Sequence, residues 1–378
     1  MTRMVSRRAF LLGAAATGLA ACSRGLRAAS PDDAGGPTGE LSILNWPQYI
    51  DEDEGASLGT VRRFAIEADT EVDYSDAYED NDYGLSEVFS KLEKGDATGY
   101  DVVVPTYWVV ARLLERGLLN QIPLERVPNH VNVDPGLLGM AWDRGARFHM
   151  PWQVGITGIA YDPALTGREL RAFADLLDPS LRGKVGMVSE MREVAGLFML
   201  AAGADPSRAT LDTAKEALFR LESVVNARQV ARFTANEYVD ALKKGEFAAC
   251  LAWSGDIVQL QKTRPDIRFV IPEEGGIRWF DSMVVPKGAK NVASAGDWMN
   301  FVYDPENAAR ITRSVQYISP VVGVREVLER AGGESAKLAD NPVLFPDDAT
   351  RRRLYFWAGT TNAEEEELQG IFDKITGA

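Results

Sequence analysis

Apolar residues fall along the chain in two rhythms, short continuous runs and longer stretches at helical spacing, and the two alternate. Leu41-Ser42-Ile43-Leu44 reads as a first strand, stopped at Asn45-Trp46-Pro47 because proline cannot donate to a ladder. A helix from Val61 to Ala68, a strand at Glu71–Tyr74 and an amphipathic helix from Leu85 to Leu92 follow. Asp101-Val102-Val103-Val104-Pro105 is nearly all apolar, as expected of a strand covered on both faces, and a helix runs on through Leu113 and Leu114. Near Pro151 the texture changes. Gly155–Tyr161 is strand-like, then come a strand at Val185–Val188, helices at about Arg192–Ala202 and Leu211–Leu221, and strands at Ala248–Trp253 and Phe269–Ile271. Ser282–Pro286 resumes an apolar strand, helices follow at Ala293–Tyr303 and Pro305–Val315, and the acidic Glu364–Glu367 run reads as a solvated helix face. Strands alternating with helices predict an α/β protein with mainly parallel sheets, in two successive series. No repeat or heptad pattern is evident.

Length and composition agree: 378 residues suffice for two domains, and 46% hydrophobic with 25% charged residues are globular values. The net charge of −14 argues against nucleic-acid binding through a basic face and suits attraction of cations. At the N-terminus, Ser6-Arg7-Arg8-Ala9-Phe10-Leu11 resembles a twin-arginine export signal, with an apolar run to Ala21 too short to span a membrane. Leu19-Ala20-Ala21-Cys22 looks like a lipoprotein box in which Cys22 receives lipid; an ordinary signal peptide with an incidental cysteine is the alternative. Cleavage before Cys22 removes Arg3, Arg7 and Arg8 and no acid, taking the side-chain charge from −14 to −17. Residues 1–21 are thus read as export signal and 22–39 as tether. The other cysteine, Cys250, lies among alanines and leucine and reads as a buried small hydrophobe. His130 and His149 are the only histidines, and no cluster has metal-ligand spacing. There is no phosphate-cradling loop and no nucleophile elbow, so neither a cofactor nor a catalytic residue is expected.

The chemistry that remains is aromatic rings beside carboxylates at strand ends, where open α/β sheets bind ligands. In Glu274-Gly275-Gly276-Ile277-Arg278-Trp279-Phe280-Asp281-Ser282, an extended chain puts Ile277, Trp279 and Asp281 on one side and Arg278 and Phe280 on the other. A ring face attracts a cation and a carboxylate accepts its N–H bonds. Trp253 and Asp256 repeat the pairing across a tight turn, although Asp256 also suits a helix cap. Glu190 and Glu193 share the first turn of a helix, where acids also complement the dipole. Trp46 after the first strand, and Thr106 and Trp108 after Val104, occupy equivalent ends.

Taken in order, Asn45-Trp46-x-x-Tyr49, Asp101-x-Val103-Val104-Pro105-Thr106, Arg192-Glu193-Val194, Trp253-x-Gly255, Glu273-Glu274-Gly275-Gly276-Ile277-x-Trp279-x-Asp281-Ser282 and Tyr317-x-x-Pro320 resemble the spermidine/putrescine-binding proteins of bacterial polyamine ABC importers, over about residues 40–358. The resemblance implies a two-lobed periplasmic binding protein of type II-like architecture. Each lobe would be a mainly parallel sheet flanked by helices, with the ligand between the lobes: 40–151 with 281–316, and 152–280 with 317–378. It implies that Trp46, Tyr49, Thr106 and Trp108 line the cleft from the first lobe. Glu193 would hold an amine, Trp253 and Trp279 would sandwich the methylene chain, Asp281 would bind an inner or terminal amine, and Tyr317 would close the wall. Asp256 resembles putrescine-preferring members, Glu190 stands where spermidine binders tend to have aspartate, and Pro47, Gln48 and Ala358 depart from the pattern, leaving amine length open. The implied role is an exported, lipid-anchored, monomeric receptor outside the cytoplasm that delivers a polyamine to a membrane permease and catalyses nothing. Binding of another organic cation, polyamine sensing without transport, and a secreted carbohydrate hydrolase with paired acids are the alternatives.

Overall fold

The computed structural model describes residues 39–77 and 86–377. The export signal, Cys22 and the tether up to residue 38 lie outside the described residues, as does Leu85 at the head of the expected second helix. Among the described residues the strands are β1 (Gly39–Leu44), β2 (Thr70–Ser75), β3 (Val102–Val103), β4 (Leu119–Asn120), β5 (Met150–Tyr161), β6 (Val185–Val188), β7 (Val230–Thr234), β8 (Ala249–Trp253), β9 (Arg268–Val270), β10 (Gly276–Met283), β11 (Val285–Pro286) and β12 (Leu354–Tyr355). A three-stranded sheet has the order β2-β1-β3, all parallel, with Leu41 opposite Val72 and Ile43 opposite both Tyr74 and Val102. A seven-stranded sheet has the order β12-β10-β5-β8-β6-β7, with β9 on β5. This second sheet is mixed rather than mainly parallel: β5 runs against β8, β9 and β10, while β6–β7, β6–β8 and β10–β12 are parallel.

The mixture has a cause in the long strands. β5 is buried along its whole length, Gln153 and Thr157 included. Its first half, Met150, Trp152 and Val154, packs into one hydrophobic core with Leu41, Ile43, Phe64, Val102 and Trp298. Its second half, Ile159, Ala160 and Tyr161, packs into another with Leu218, Tyr238, Phe247 and Leu251. β10 divides the other way, with Ile277 in the second core and Trp279, Phe280 and Met283 in the first. Two antiparallel strands therefore cross between two α/β lobes, one in each direction.

Core membership cuts across the expected boundaries. Trp152 and Val154 pack in the first core rather than the second. The segment 317–378, expected whole in the second lobe, is divided: Tyr317, Val321, Val324, Val327, Leu328 and Ala339 join the first core, and Trp357, Leu368 and Phe372 the second. Apolar spacing marks which face of a helix is buried, but not against which core. No helix among the described residues is long and apolar enough to cross a membrane.

Candidate functional site

Asp281 sits at a register slip in β10, where the strand also bonds to the segment around β3. The strand pairs with β5 from Ile277 to Met283, with Trp279 opposite Gly155 and Asp281 opposite Gln153, and the register slips between Asp281 and Ser282, which stands opposite Pro151. Beyond the slip, Ser282 N donates to Pro105 O at 2.8 Å and Val284 N to Val103 O at 2.9 Å. A bulge re-aims the side chain beside it, and here it carries the carboxylate between elements of the first lobe. Thr106 Oγ1 donates to Asp281 Oδ1 at 2.7 Å and the Tyr49 hydroxyl to Oδ2 at 2.8 Å. The alternation expected from residue 277 to 282 holds: Phe280 stacks on Tyr107 at 5.2 Å and Arg278 approaches Phe356, away from Trp279 and Asp281.

Glu193 enters from the first turn of the Met191–Ala201 helix, which follows β6. Its Oε2 accepts from Trp253 Nε1 at 2.7 Å and from the Thr157 hydroxyl. Thr157 in turn accepts from Trp279 Nε1 at 3.1 Å. Thr157 on β5 therefore ties the Trp279 indole to the carboxylate that the Trp253 indole reaches directly. The close approach of Trp279 to β5 requires glycine beneath it, because a Cβ on Gly155 would fall 2.1 Å from the ring. Gly255 serves Tyr317 similarly, at 2.4 Å.

Tyr317 closes the circuit. Its ring meets Tyr49 edge-on at 5.4 Å and Trp279 at 5.7 Å. Its hydroxyl donates to Asp256 Oδ1 at 2.6 Å, and the Tyr238 hydroxyl donates to Oδ2 at 2.5 Å while accepting the Trp253 backbone N–H at 3.0 Å. Asp256 lies inside the first turn of the Ser254–Leu260 helix, whose N-cap is Trp253, so it anchors tyrosines rather than capping.

The site is thus a closed circuit of rings and three carboxylates drawn from both lobes. The hydrogen-bond donors to Asp281, Glu193 and Asp256 are hydroxyls and indoles, and among the described residues no lysine or arginine is in ion-pair contact with them. Asp281 is 3% and Glu193 8% exposed. Burial pushes the Asp281 carboxyl up to about 7 despite the bonds from Thr106 and Tyr49 that lower it. Burial likewise raises Glu193 to about 7; Asp281 adds to the rise, and Thr157, Trp253 and Arg192 oppose it. Asp256 is raised by burial against the two tyrosine bonds. An enclosed group of carboxylates bounded by ring faces is a cation receptor: each oxygen engaged by one donor retains a lone pair for an ammonium N–H.

Of the expected residues, Tyr49, Thr106, Glu193, Trp253, Asp256, Trp279, Asp281 and Tyr317 come together. Three stand differently. Trp46 is half-buried and donates its ring N–H to Val104 O at 2.8 Å. Glu190 holds the N-cap position of the 191–201 helix without a side-chain capping bond. Trp108 is not an open wall, because the Arg192 guanidinium covers its face at 3.6 Å with Arg112 at 4.8 Å. Nor do Trp253 and Trp279 form parallel plates: they meet at 77° with centres 6.2 Å apart. Thr157 and Tyr238 escaped the sequence reading. The glycines flanking Thr157, which let rings approach the strand, were its available signal; Tyr238 had none. Among the described residues no group of three or more His, Cys, Asp or Glu side chains could hold a metal ion.

Comparison with known proteins places this geometry in a family. The profile of the bacterial extracellular solute-binding proteins matches residues 61–345. The spermidine/putrescine-binding periplasmic protein of Escherichia coli is 27% identical over 360 residues, 94% of this chain and 95% of that one. The putrescine/cadaverine-binding protein of Pseudomonas aeruginosa is 26% identical over 351 residues, 89% of this chain and 93% of that one. The crystal structure of the spermidine/putrescine ABC transporter substrate-binding protein of Streptococcus pneumoniae superposes with a TM-score of 0.74 at 23% identity, over 89% of this chain and 98% of that one, and so shares the fold. With its two lobes joined by crossing strands and a family match over most of its length, the chain belongs to the bacterial extracellular solute-binding proteins.

Proposed function

We propose that the protein is the extracytoplasmic receptor of a polyamine ABC importer, and that it binds its ligand between Trp253, Trp279, Tyr49 and Tyr317 with Asp281 and Glu193 as ammonium acceptors. The observation that carries this reading is the set of buried carboxylates with neutral hydrogen-bond donors around them and, among the described residues, no lysine or arginine in ion-pair contact with them. An alkyl chain gains by burial against rings, while each ammonium stripped of water needs an anionic partner. The names of the Escherichia coli and Pseudomonas aeruginosa relatives support the same ligand class. Ligand binding to the closed arrangement favours it over open ones, a hinge motion about β5 and β10. In this reading the ligand is bound and handed to a permease, without reaction. The lobes, redrawn from core membership, are 40–154 with 279–339, and 159–277 with 357–377.

Calorimetric titration with putrescine, cadaverine, spermidine and spermine tests the proposal. Binding of at least one at micromolar concentration is expected, and binding of none removes the reading. We further propose export by the twin-arginine signal and anchoring through lipid on Cys22. Labelling with a radioactive fatty acid that persists in Cys22→Ala sinks the anchor.

A further inference from the structure

Arg192 immediately precedes Glu193, yet its guanidinium has other partners. Nε and Nη2 donate to Glu365 Oε2 at 3.0 and 2.5 Å. The second oxygen of Glu365 accepts from Trp357 Nε1 at 3.2 Å and Thr360 Oγ1 at 2.9 Å. The 191–201 helix and Trp357 both pack in the second core, so both partners of this ion pair are held by the second lobe. Glu365 belongs to the acidic run expected to be solvated, and it is buried. The flat face of Arg192 then lies 3.6 Å from the ring centre of Trp108, which packs in the first core. Other contacts cross at the same place. Arg112 Nη2 lies 3.5 Å from Glu365 Oε2, the Tyr107 hydroxyl donates to Trp357 O at 3.1 Å, and Asn362 Nδ2 donates to Glu115.

We infer that Trp108 and Arg192 form an interlobe clamp that sets ligand affinity without touching the ligand. The ligand whose affinity the clamp sets is that of the polyamine reading, on which this inference rests; the clamp's geometry does not depend on it. Glu365 holds the guanidinium rigidly within the second lobe, so little freedom is lost when Trp108 meets it. Separating the lobes breaks the ring–guanidinium contact and leaves the ion pair intact. The contact therefore contributes to the closed arrangement alone. Arg192 and Glu193 are consecutive in one helical turn, so the clamp also fixes how the Glu193 carboxylate faces the first lobe. Apparent affinity scales with the fraction of molecules able to adopt the closed arrangement. Trp108 and Arg192 are positioning residues in this scheme, and the wall role expected for Trp108 passes to the tyrosines.

The test is a calorimetric comparison of wild type, Trp108→Phe and Trp108→Leu, each with putrescine and with spermidine. The ring's attraction for a cation falls in that order, so affinity is expected to drop about threefold in Trp108→Phe and about tenfold in Trp108→Leu. Because a clamp does not touch the ligand, the factor is the same for both amines. A factor that differs between the amines makes Trp108 part of the binding wall and overturns the clamp, as does wild-type affinity in Trp108→Leu. If Trp108→Leu fails to fold, Trp108→Phe carries the same comparison. If wild type binds neither amine, the polyamine reading falls by itself. The clamp is then read from small-angle scattering of the ligand-free proteins: a larger radius of gyration in Trp108→Phe than in wild type supports it, and equal radii overturn it.

Discussion

Replacing Asp281 by asparagine should make the protein more stable and a worse receptor at once. Burial raises the Asp281 carboxyl from 3.8 to about 7. At 1.36 kcal/mol per unit, the ionised side chain costs the ligand-free fold about 4 kcal/mol relative to a neutral one at alkaline pH. Asparagine keeps the shape and one acceptor for Tyr49 or Thr106, and the other hydroxyl loses a bond worth about 1 kcal/mol, leaving a gain on the order of 3 kcal/mol. The sign follows from proton binding. The folded group takes up its proton below about 7 and the unfolded one only below 3.8, so wild-type stability rises as pH falls through 7. The advantage of Asp281→Asn is therefore full above pH 7, shrinks below it and is gone beneath about 3.8. Binding moves oppositely. Losing one partner of a desolvated charge pair costs about 2–5 kcal/mol, so amine affinity should fall at least about thirtyfold. Urea unfolding at pH 8 and pH 5, with calorimetric titration at pH 8, reads both effects. Lower stability of Asp281→Asn at pH 8, or amine binding like wild type, refutes the reasoning.

Two further outcomes follow from the same geometry. With Asp281 and Glu193 both raised to about 7, wild-type amine affinity should fall about tenfold per group from pH 8 to pH 6. Binding at pH 7 should also release protons, seen as an enthalpy that depends on the buffer; affinity unchanged over that range argues against ionised acceptors. Gly155→Ala should displace Trp279, whose ring would lie 2.1 Å from the new Cβ, costing about 1–3 kcal/mol in urea unfolding and weakening amine binding. Wild-type values for both would show that the ring is not held against β5.

The parts of the site that were legible in sequence are those set by local geometry. Period-two alternation is enough to send Trp279 and Asp281 to one side of β10 and Phe280 to the other. What could not be read depends on partners far along the chain. Trp108 looks like a free ring until Arg192, 84 positions on, is found against its face. Glu365 looks solvated among its acidic neighbours because only the fold brings Arg192 to it. Thr157 is one polar residue in an apolar strand, and its bonds to Glu193 and Trp279 join three separate elements. The allegiance of residues 317–339 to the first core is of the same kind, since amphipathic helices suit either lobe equally.

The crossing of β5 and β10 bears on how the chain can be made. Once residue 270 has left the ribosome, the second core still lacks Ile277, Trp357, Leu368 and Phe372, and the first still lacks Trp279, Phe280, Met283 and Trp298. Neither lobe is finished on the nascent chain, and no cut between them yields two contiguous pieces that fold alone. A cell that makes this protein must hold an almost complete polypeptide before its first native domain exists.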